Sequence, residues 1–229
     1  EERSQVDFTP FRQKLPAGEV HRLGEVEALR IAPGTAHQPV EEILRHDASI
    51  TLLVNNAGVG GVMPLLGSPV DDMEDMITLN VTALMRLAYA VVPGFVARGS
   101  GTVINIASIV AIAPEILNGV YGGTKAFVLS LSQSMHHELA DKGVRIQAVL
   151  PGATATDFWS EAGNPVENLP QEIVMSAADM VDAALAGLAQ GEVVTIPGLH
   201  DGEQWDRYES QRKTLSGLFG NSTAASRYR

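Results

Sequence analysis

Ile50-Thr51-Leu52-Leu53-Val54-Asn55-Asn56-Ala57-Gly58 is the stretch from which the rest of the chain can be placed. A short apolar run that stops at Asn-Asn-Ala-Gly describes a strand buried on both faces and then a turn. On its N-terminal side, Pro39 to Arg45 reads as a short helix, with Pro39 near the first turn and Glu41 and Glu42 favoured at the positive end of the macrodipole. Further back, Val26, Ala28, Leu29 and Ile31 suit a short strand ended by Pro33-Gly34, and residues 1–24 hold no sustained period.

On the C-terminal side the pattern becomes regular. Met73, Met76, Ile77, Val81, Leu84, Leu87, Ala88, Val91 and Val92 recur at threes and fours and predict a helix from Val70 to Ala97. Pro93 should kink or break it, and Gly99 suits the left-handed position past its end. Thr102 to Ala107 predicts a second strand, Tyr121 to Lys142 a helix closed by Gly143, and Val144 to Leu150 a third strand stopped by Pro151-Gly152. Ser176-Ala177-Ala178-Asp179 resembles a capping box opening a helix to Gln190, and Val193 to Ile196 makes a last short strand. Strands alternating with long helices require right-handed crossovers and a parallel sheet covered on both faces, so the fold class is a doubly wound α/β domain.

Composition agrees with one such domain. The chain has 229 residues, 45% hydrophobic and 19% charged, enough for a sizeable core. Its 16 Lys and Arg against 27 Asp and Glu give a formal charge of −11, which repels phosphate backbones and anionic lipid. Zero Cys excludes disulfides, thiolate metal sites and Cys nucleophiles. Glu1-Glu2-Arg3-Ser4 opens no signal-peptide pattern, and the charge-free stretch between Arg98 and Glu115 is shorter than a bilayer span. The expectation is a soluble, cytoplasmic protein.

In a doubly wound sheet, ligands sit outside the carboxyl ends of the strands. Polar residues at those ends are Asn55 and Asn56, then Ser108, then Thr154 and Thr156. Tyr121 and Lys125 follow at a spacing that puts both on one helix face, one turn apart. A Tyr hydroxyl is a feeble acid near neutrality, and a nearby ammonium should lower its pKa enough for proton transfer to a carbonyl oxygen. A Ser hydroxyl beside it could hold the same oxygen. Singly, a Tyr-x-x-x-Lys pair recurs on many helices, Asn-Asn-Ala-Gly is a common turn, and a Ser can satisfy a strand end. Their order and separations together are far more specific.

That set resembles the short-chain dehydrogenase/reductase family. The matching pieces are Asn55-Asn56-Ala57-Gly58, Asn80 in Leu79-Asn80-Val81, Ser108, and Tyr121-x-x-x-Lys125 placed 13 residues after it; Pro151-Gly152-Ala153-Thr154-Ala155-Thr156 matches the family's Pro-Gly-x-x-x-Thr stretch. The resemblance covers about residues 44–200. It implies a Rossmann-like fold, with Tyr121 as proton donor and acceptor, Lys125 lowering its pKa and binding the nicotinamide ribose, Ser108 holding the substrate oxygen, and Asn80 supporting a water that links Lys125 to solvent. Asn56, Ala57 and Gly58, with Pro151, Gly152, Thr154 and Thr156, would line the ribose and nicotinamide of NAD or NADP. Asp157 to Pro170 would be a mobile substrate loop. The substrate would be a small carbonyl or secondary alcohol.

The departure lies at the start. Residues 1–54 hold no G-x-x-x-G-x-G or G-x-G-x-x-G, offer one candidate strand where the family has three, and read Ala32-Pro33-Gly34-Thr35 where the family often has an Asp. The organisation expected is a single Rossmann-like domain over 1–229: a diverged or truncated part over 1–44, a dehydrogenase-like core over 45–200 and a C-terminal arm over 201–229. If Glu1 is the true start, the sheet lacks the family's first strand and the Ile50–Val54 strand would present an unpaired edge.

Two functions compete on these residues, an NAD(P)-dependent oxidoreductase and a non-catalytic relative acting as a binding module. A hydrolase has little support, because no G-x-S-x-G is present and Ser108 has no His at a partner position. His136-His137-Glu138 is a solvated helix face rather than a metal site, since adjacent residues point about 100° apart. The helices also carry more apolar residues than a sheet-facing stripe uses, among them Leu84, Leu87, Val91, Phe127, Leu129 and Leu131, which points to a subunit contact. The resemblance implies homodimers or homotetramers built on these two helices.

Overall fold

The computed structural model describes residues 37–229. The expected strand from Val26 to Ile31 and the Ala32–Thr35 turn lie outside the described residues. Contacts divide the chain into two compact units, Glu1–Pro197 and Gly198–Arg229.

The first unit is built on a parallel sheet of β1 (Leu52–Asn55), β2 (Gly101–Ile106), β3 (Val144–Val149) and β6 (Val194–Thr195), in the order β1-β2-β3-β6. Registers run Leu52↔Thr102 to Asn55↔Asn105, then Gly101↔Val144 to Ile106↔Val149, then Ala148↔Val194. Alternate residues face opposite layers, as the pleat requires. Val103, Val144 and Ile146 pack with Ala88, Val91, Phe95 and Met135, whereas Ile104 and Val149 pack with Ala184. Those partners lie on helices α3 (Leu84–Arg98) and α4 (Gly119–Leu139) on one face and α6 (Ala177–Gln190) on the other. Both faces are covered, so β2 and β3 read as apolar runs. Among the described residues β1 is the outermost strand.

The predicted Val70–Ala97 helix is continuous but not uniform: α2 (Val70–Ile77) passes through a π-helical turn, Thr78–Ala83, into α3. Pro93 does not break it. Pro93 and Tyr89, the residue whose carbonyl loses its helical partner, both lie on the exposed face. By length and apolarity Val70–Arg98 could cross a bilayer, but Met76, Ala83, Leu84, Ala88, Val91 and Phe95 bury one of its faces within the fold. Gly99 (φ 64°) takes the left-handed position past α3, as predicted; Gly143 (φ 73°) is also left-handed and closes the 3-10 turn Ala140–Lys142 that follows α4, where a Cβ would lie 2.1 Å from the Gly99 carbonyl oxygen.

Helix α1 (His37–His46) begins earlier than predicted, which puts Glu41 past the first turn. Glu41 is instead buried against α3, where Arg86 Nε donates to Oε1 at 2.5 Å and Arg45 Nη2 to Oε2 at 3.1 Å. A short parallel pair, β4 (Thr154–Ala155) with β5 (Met175–Ser176), was not foreseen. It clamps both ends of the segment that contains the one-turn helix α5 (Phe158–Glu161).

The second unit contains α7 (Gly202–Ser216), N-capped by Asp201 and laced by Arg207–Glu203 and Arg212–Glu209 pairs, with Trp205 stacked on Tyr208 at 5.2 Å.

Candidate active site

Parallel pairing brings three strand ends to one rim. Ala107 N donates to Val149 O at 2.8 Å and Ile109 N to Pro151 O at 3.0 Å, so Ser108 emerges beside Pro151. The Ser108 hydroxyl is 3.4 Å from Pro151 O and 3.4 Å from Val110 N. Both contacts are long, which leaves the hydroxyl able to serve another oxygen.

Helix α4 then delivers the tyrosine and the lysine. It starts two residues earlier than predicted because Asn118 caps it: Oδ1 accepts from Val120 N at 2.8 Å and from Tyr121 N at 3.3 Å. The other end of the same amide donates to Met63 O at 2.7 Å and Ser68 Oγ at 3.1 Å, tying the helix start to the segment after β1. Tyr121 and Lys125 are only 5% and 6% exposed. Lys125 Nζ donates to Ile106 O, at the end of β2, at 3.0 Å and lies 5.7 Å from the Tyr121 ring centroid.

Asn80 sits in the π turn, a distortion that accumulates at functional sites. Its Oδ1 accepts from Val59 N at 2.9 Å, and its Nδ2 donates to Val59 O at 2.8 Å and Thr124 Oγ1 at 3.1 Å. Thr124 in turn donates to Tyr121 O at 2.8 Å. One amide thus clamps the turn after β1 to the helix bearing Tyr121. Gly58 lies between the two polar groups, since a Cβ there would be 3.1 Å from Asn80 Oδ1 and 3.3 Å from Lys125 Nζ.

The electrostatics reverse one expectation. Lys125 was expected to pull the Tyr121 pKa down; instead burial pushes Tyr121 up to about 12, against a hydrogen bond from Ser108 that lowers it. Burial also lowers Lys125 to about 8. Desolvation disfavours the charged form of each group, and at this separation it outweighs the attraction an ammonium would exert on a phenolate.

The remaining predicted residues are spread along the same rim. Asn56 and Ala57 are exposed past β1, Gly152 is exposed past β3, and Pro151 is buried beneath it. The Thr154 hydroxyl turns to its own backbone, 3.3 Å from Gly152 O, and Thr156 is exposed with its hydroxyl 3.5 Å from Thr154 O. Sequence reasoning missed Asn118, Thr124 and Phe158. It also missed a buried relay beneath the rim, Asn55 Nδ2 to Asn105 Oδ1 at 2.8 Å and Asn105 Nδ2 to Ser132 Oγ at 2.9 Å. An Asn placed three residues before Tyr121, just ahead of an apolar helix, was the one available signal for the cap.

A family model for short chain dehydrogenases matches residues 31–166, more than half of the chain. The chain belongs to the short-chain dehydrogenase family. A short-chain dehydrogenase from Sphingobium yanoikuyae, solved in complex with NADPH, superposes with a TM-score of 0.81 at 46% identity, over 84% of this chain and 75% of that one. The bulky-bulky ketone specific alcohol dehydrogenase of Comamonas testosteroni superposes at 0.78 with 39% identity, over 87% and 76%. Serine 3-dehydrogenase of Rhizobium radiobacter is 38% identical over 110 residues, 48% of this chain; the chain spans 44% of that relative's length. Like the first two of these dehydrogenases, the molecule has the doubly wound parallel sheet anticipated from the strand–helix alternation.

Proposed function

We propose that this chain is an NAD(P)-dependent oxidoreductase that reduces a small carbonyl compound to a secondary alcohol, with Tyr121 as the proton donor. The observation that carries the reading is the buried Tyr121–Lys125 pair facing Ser108 at the carboxyl rim of the sheet. Burying an ammonium costs stability, and a chain that merely bound a partner would have no use for that cost at this position. NAD or NADP supplies the hydride.

The residues fit the ribose and nicotinamide end of such a cofactor. An ammonium has three donors, and the hydrogen bond to Ile106 O uses one of Lys125's. Gly58 leaves the approach to Nζ free of any side chain of its own. Asn56, Ala57, Gly58, Pro151, Gly152, Thr154 and Thr156 would line the same end, and the NADPH held by the Sphingobium relative supports this. Ser108 would hold the substrate oxygen beside the Tyr121 hydroxyl. Asn80 acts as a positioning residue through Val59 and Thr124, and the second lone pair of its Oδ1 could serve the water that the family resemblance implies.

A Tyr121 raised to about 12 keeps its proton at neutral pH, which is the form that reduction needs. The acidic charge balance suits a soluble cytoplasmic protein and makes nucleic acid and membrane surfaces poor partners, while the family resemblance supports a small-molecule substrate and a homodimer or homotetramer. The test is consumption of NADPH or NADH by the purified chain with a panel of neutral ketones. Ketone-dependent oxidation supports the reading; none with either cofactor at saturating concentration would refute it.

A further inference from the structure

We propose that Phe158, seated on the bare backbone of Gly60, is the gate that decides what reaches the Tyr121 hydroxyl, and hence how large a group the substrate carries on that side of its carbonyl. This rests on the reading of Tyr121 as the proton donor. The Phe158 ring lies 5.7 Å from the Tyr121 ring, tilted by 43°, and meets the indole of Trp159 edge-on at 5.6 Å. A Cβ built on Gly60 would fall 2.2 Å from Phe158 Cζ and 2.7 Å from Cε2, so the tip of the ring occupies the space a side chain at position 60 would need. The backbone at Gly60 is outside the left-handed region, so this contact and not the dihedral calls for glycine.

The ring is carried on a fixed mount. Its neighbour Trp159 is buried and donates from Nε1 to Thr154 O at 3.0 Å. The segment leaves and returns through the β4–β5 pair, with Thr154 opposite Met175. With the base held on both sides, rotation of the half-buried Phe158 side chain is the least costly way to change the space beside Tyr121. The surroundings on this side are apolar: Val59, Val110, Leu117 and Val120 pack with Tyr121 and Phe158. The chemistry that fits is an uncharged ketone with an apolar substituent, its size limited by Phe158.

Two variants separate a gate from mere packing. Phe158→Ala removes the ring, and Gly60→Ala displaces it while leaving its chemistry intact. Both should raise kcat/KM for a phenyl-substituted ketone relative to acetone by about tenfold or more, through KM more than kcat. The double variant should add little to either single change, because both act on one contact. Independently of turnover, tetranitromethane followed by peptide mass spectrometry should nitrate Tyr121 several-fold faster in both variants than in the native chain. Unchanged nitration of Tyr121 in a folded Phe158→Ala protein overturns the gate, whether or not any ketone is reduced. Faster nitration with an unchanged ketone ratio overturns its role in substrate size. A native chain that reduces no ketone refutes the oxidoreductase reading, and the nitration rates still decide whether Phe158 covers Tyr121.

Discussion

Burial penalises the charged form of both Tyr121 and Lys125: it keeps the tyrosine neutral up to about 12 and brings loss of the lysine proton down to about 8. At neutral pH the pair is therefore an acid beside an ammonium. As pH rises through about 8 the ammonium is lost first, while Tyr121 still carries its proton. The kcat/KM for ketone reduction should fall along a single ionisation near that value, as a positive charge suited to a ribose hydroxyl disappears. A pH–rate profile flat to about pH 10, the range of an unburied lysine, would contradict this assignment. Ser108→Ala should be milder than loss of Tyr121 or Lys125, because it removes one hydrogen bond to the developing oxyanion. The Tyr-x-x-x-Lys spacing and Ser108 were legible in the sequence because the geometry of one helix and one strand end fixes them. The direction of the Tyr121 shift was not, since burial depends on residues as distant as Met76 and Phe158.

At the scale of elements, capping and close approach set where the site residues stand. The Asn118 side chain makes four hydrogen bonds, two into α4 and two to the Met63–Ser68 segment. Asn118→Ala should destabilise the protein by about 1–2 kcal/mol in urea unfolding and lower turnover as well, because α4 carries Tyr121 and Lys125. Gly143→Ala should be more damaging to stability than an ordinary cap change, since it meets the Gly99 carbonyl and a positive φ together. Strands β1, β2 and β3 were readable from their apolar runs, and the helices from their threes and fours. The β4–β5 pair was invisible because two residues per strand make no period. The π turn was equally hidden: its one inserted residue is felt through Asn80 reaching Val59, a contact across 21 positions. Pro93 does not break its helix for a related reason, because its cost depends on which face of the helix it occupies.

For the molecule as a whole, the buried lysine links stability to pH. The folded value of Lys125 is depressed from 10.5 to about 8, so its contribution is complete above 10.5 and is lost as pH falls through 8. Between these limits native stability should rise with pH by up to about 3 kcal/mol, and Lys125→Met should abolish that rise. Tyr121 acts in the opposite sense only above 10, where the unfolded chain ionises before the folded one. Urea titrations below and above pH 8 in both proteins check the sign. Assembly is the other property of this scale. Leu84, Val91 and Leu129 prove to be buried in the chain's own core, and Leu131 packs against the same layer. Less apolar surface is spare than the sequence suggested, and exposed Val70, Ile77 and Tyr89 remain on the Val70–Arg98 helix. Light scattering at micromolar concentration should still give a dimer or tetramer; a monomer would sink that expectation.

The most direct measurement is the turnover of Tyr121→Phe, which removes one hydroxyl and leaves the ring against Phe158 and Lys125. Unfolding by urea should be little changed, and calorimetric titration should give the same affinity for NADPH as the native chain. Under those conditions kcat for ketone reduction should drop by about 10²–10⁴-fold, the contribution of a positioned general acid. A folded, cofactor-binding Tyr121→Phe protein that keeps most of its turnover would contradict the account.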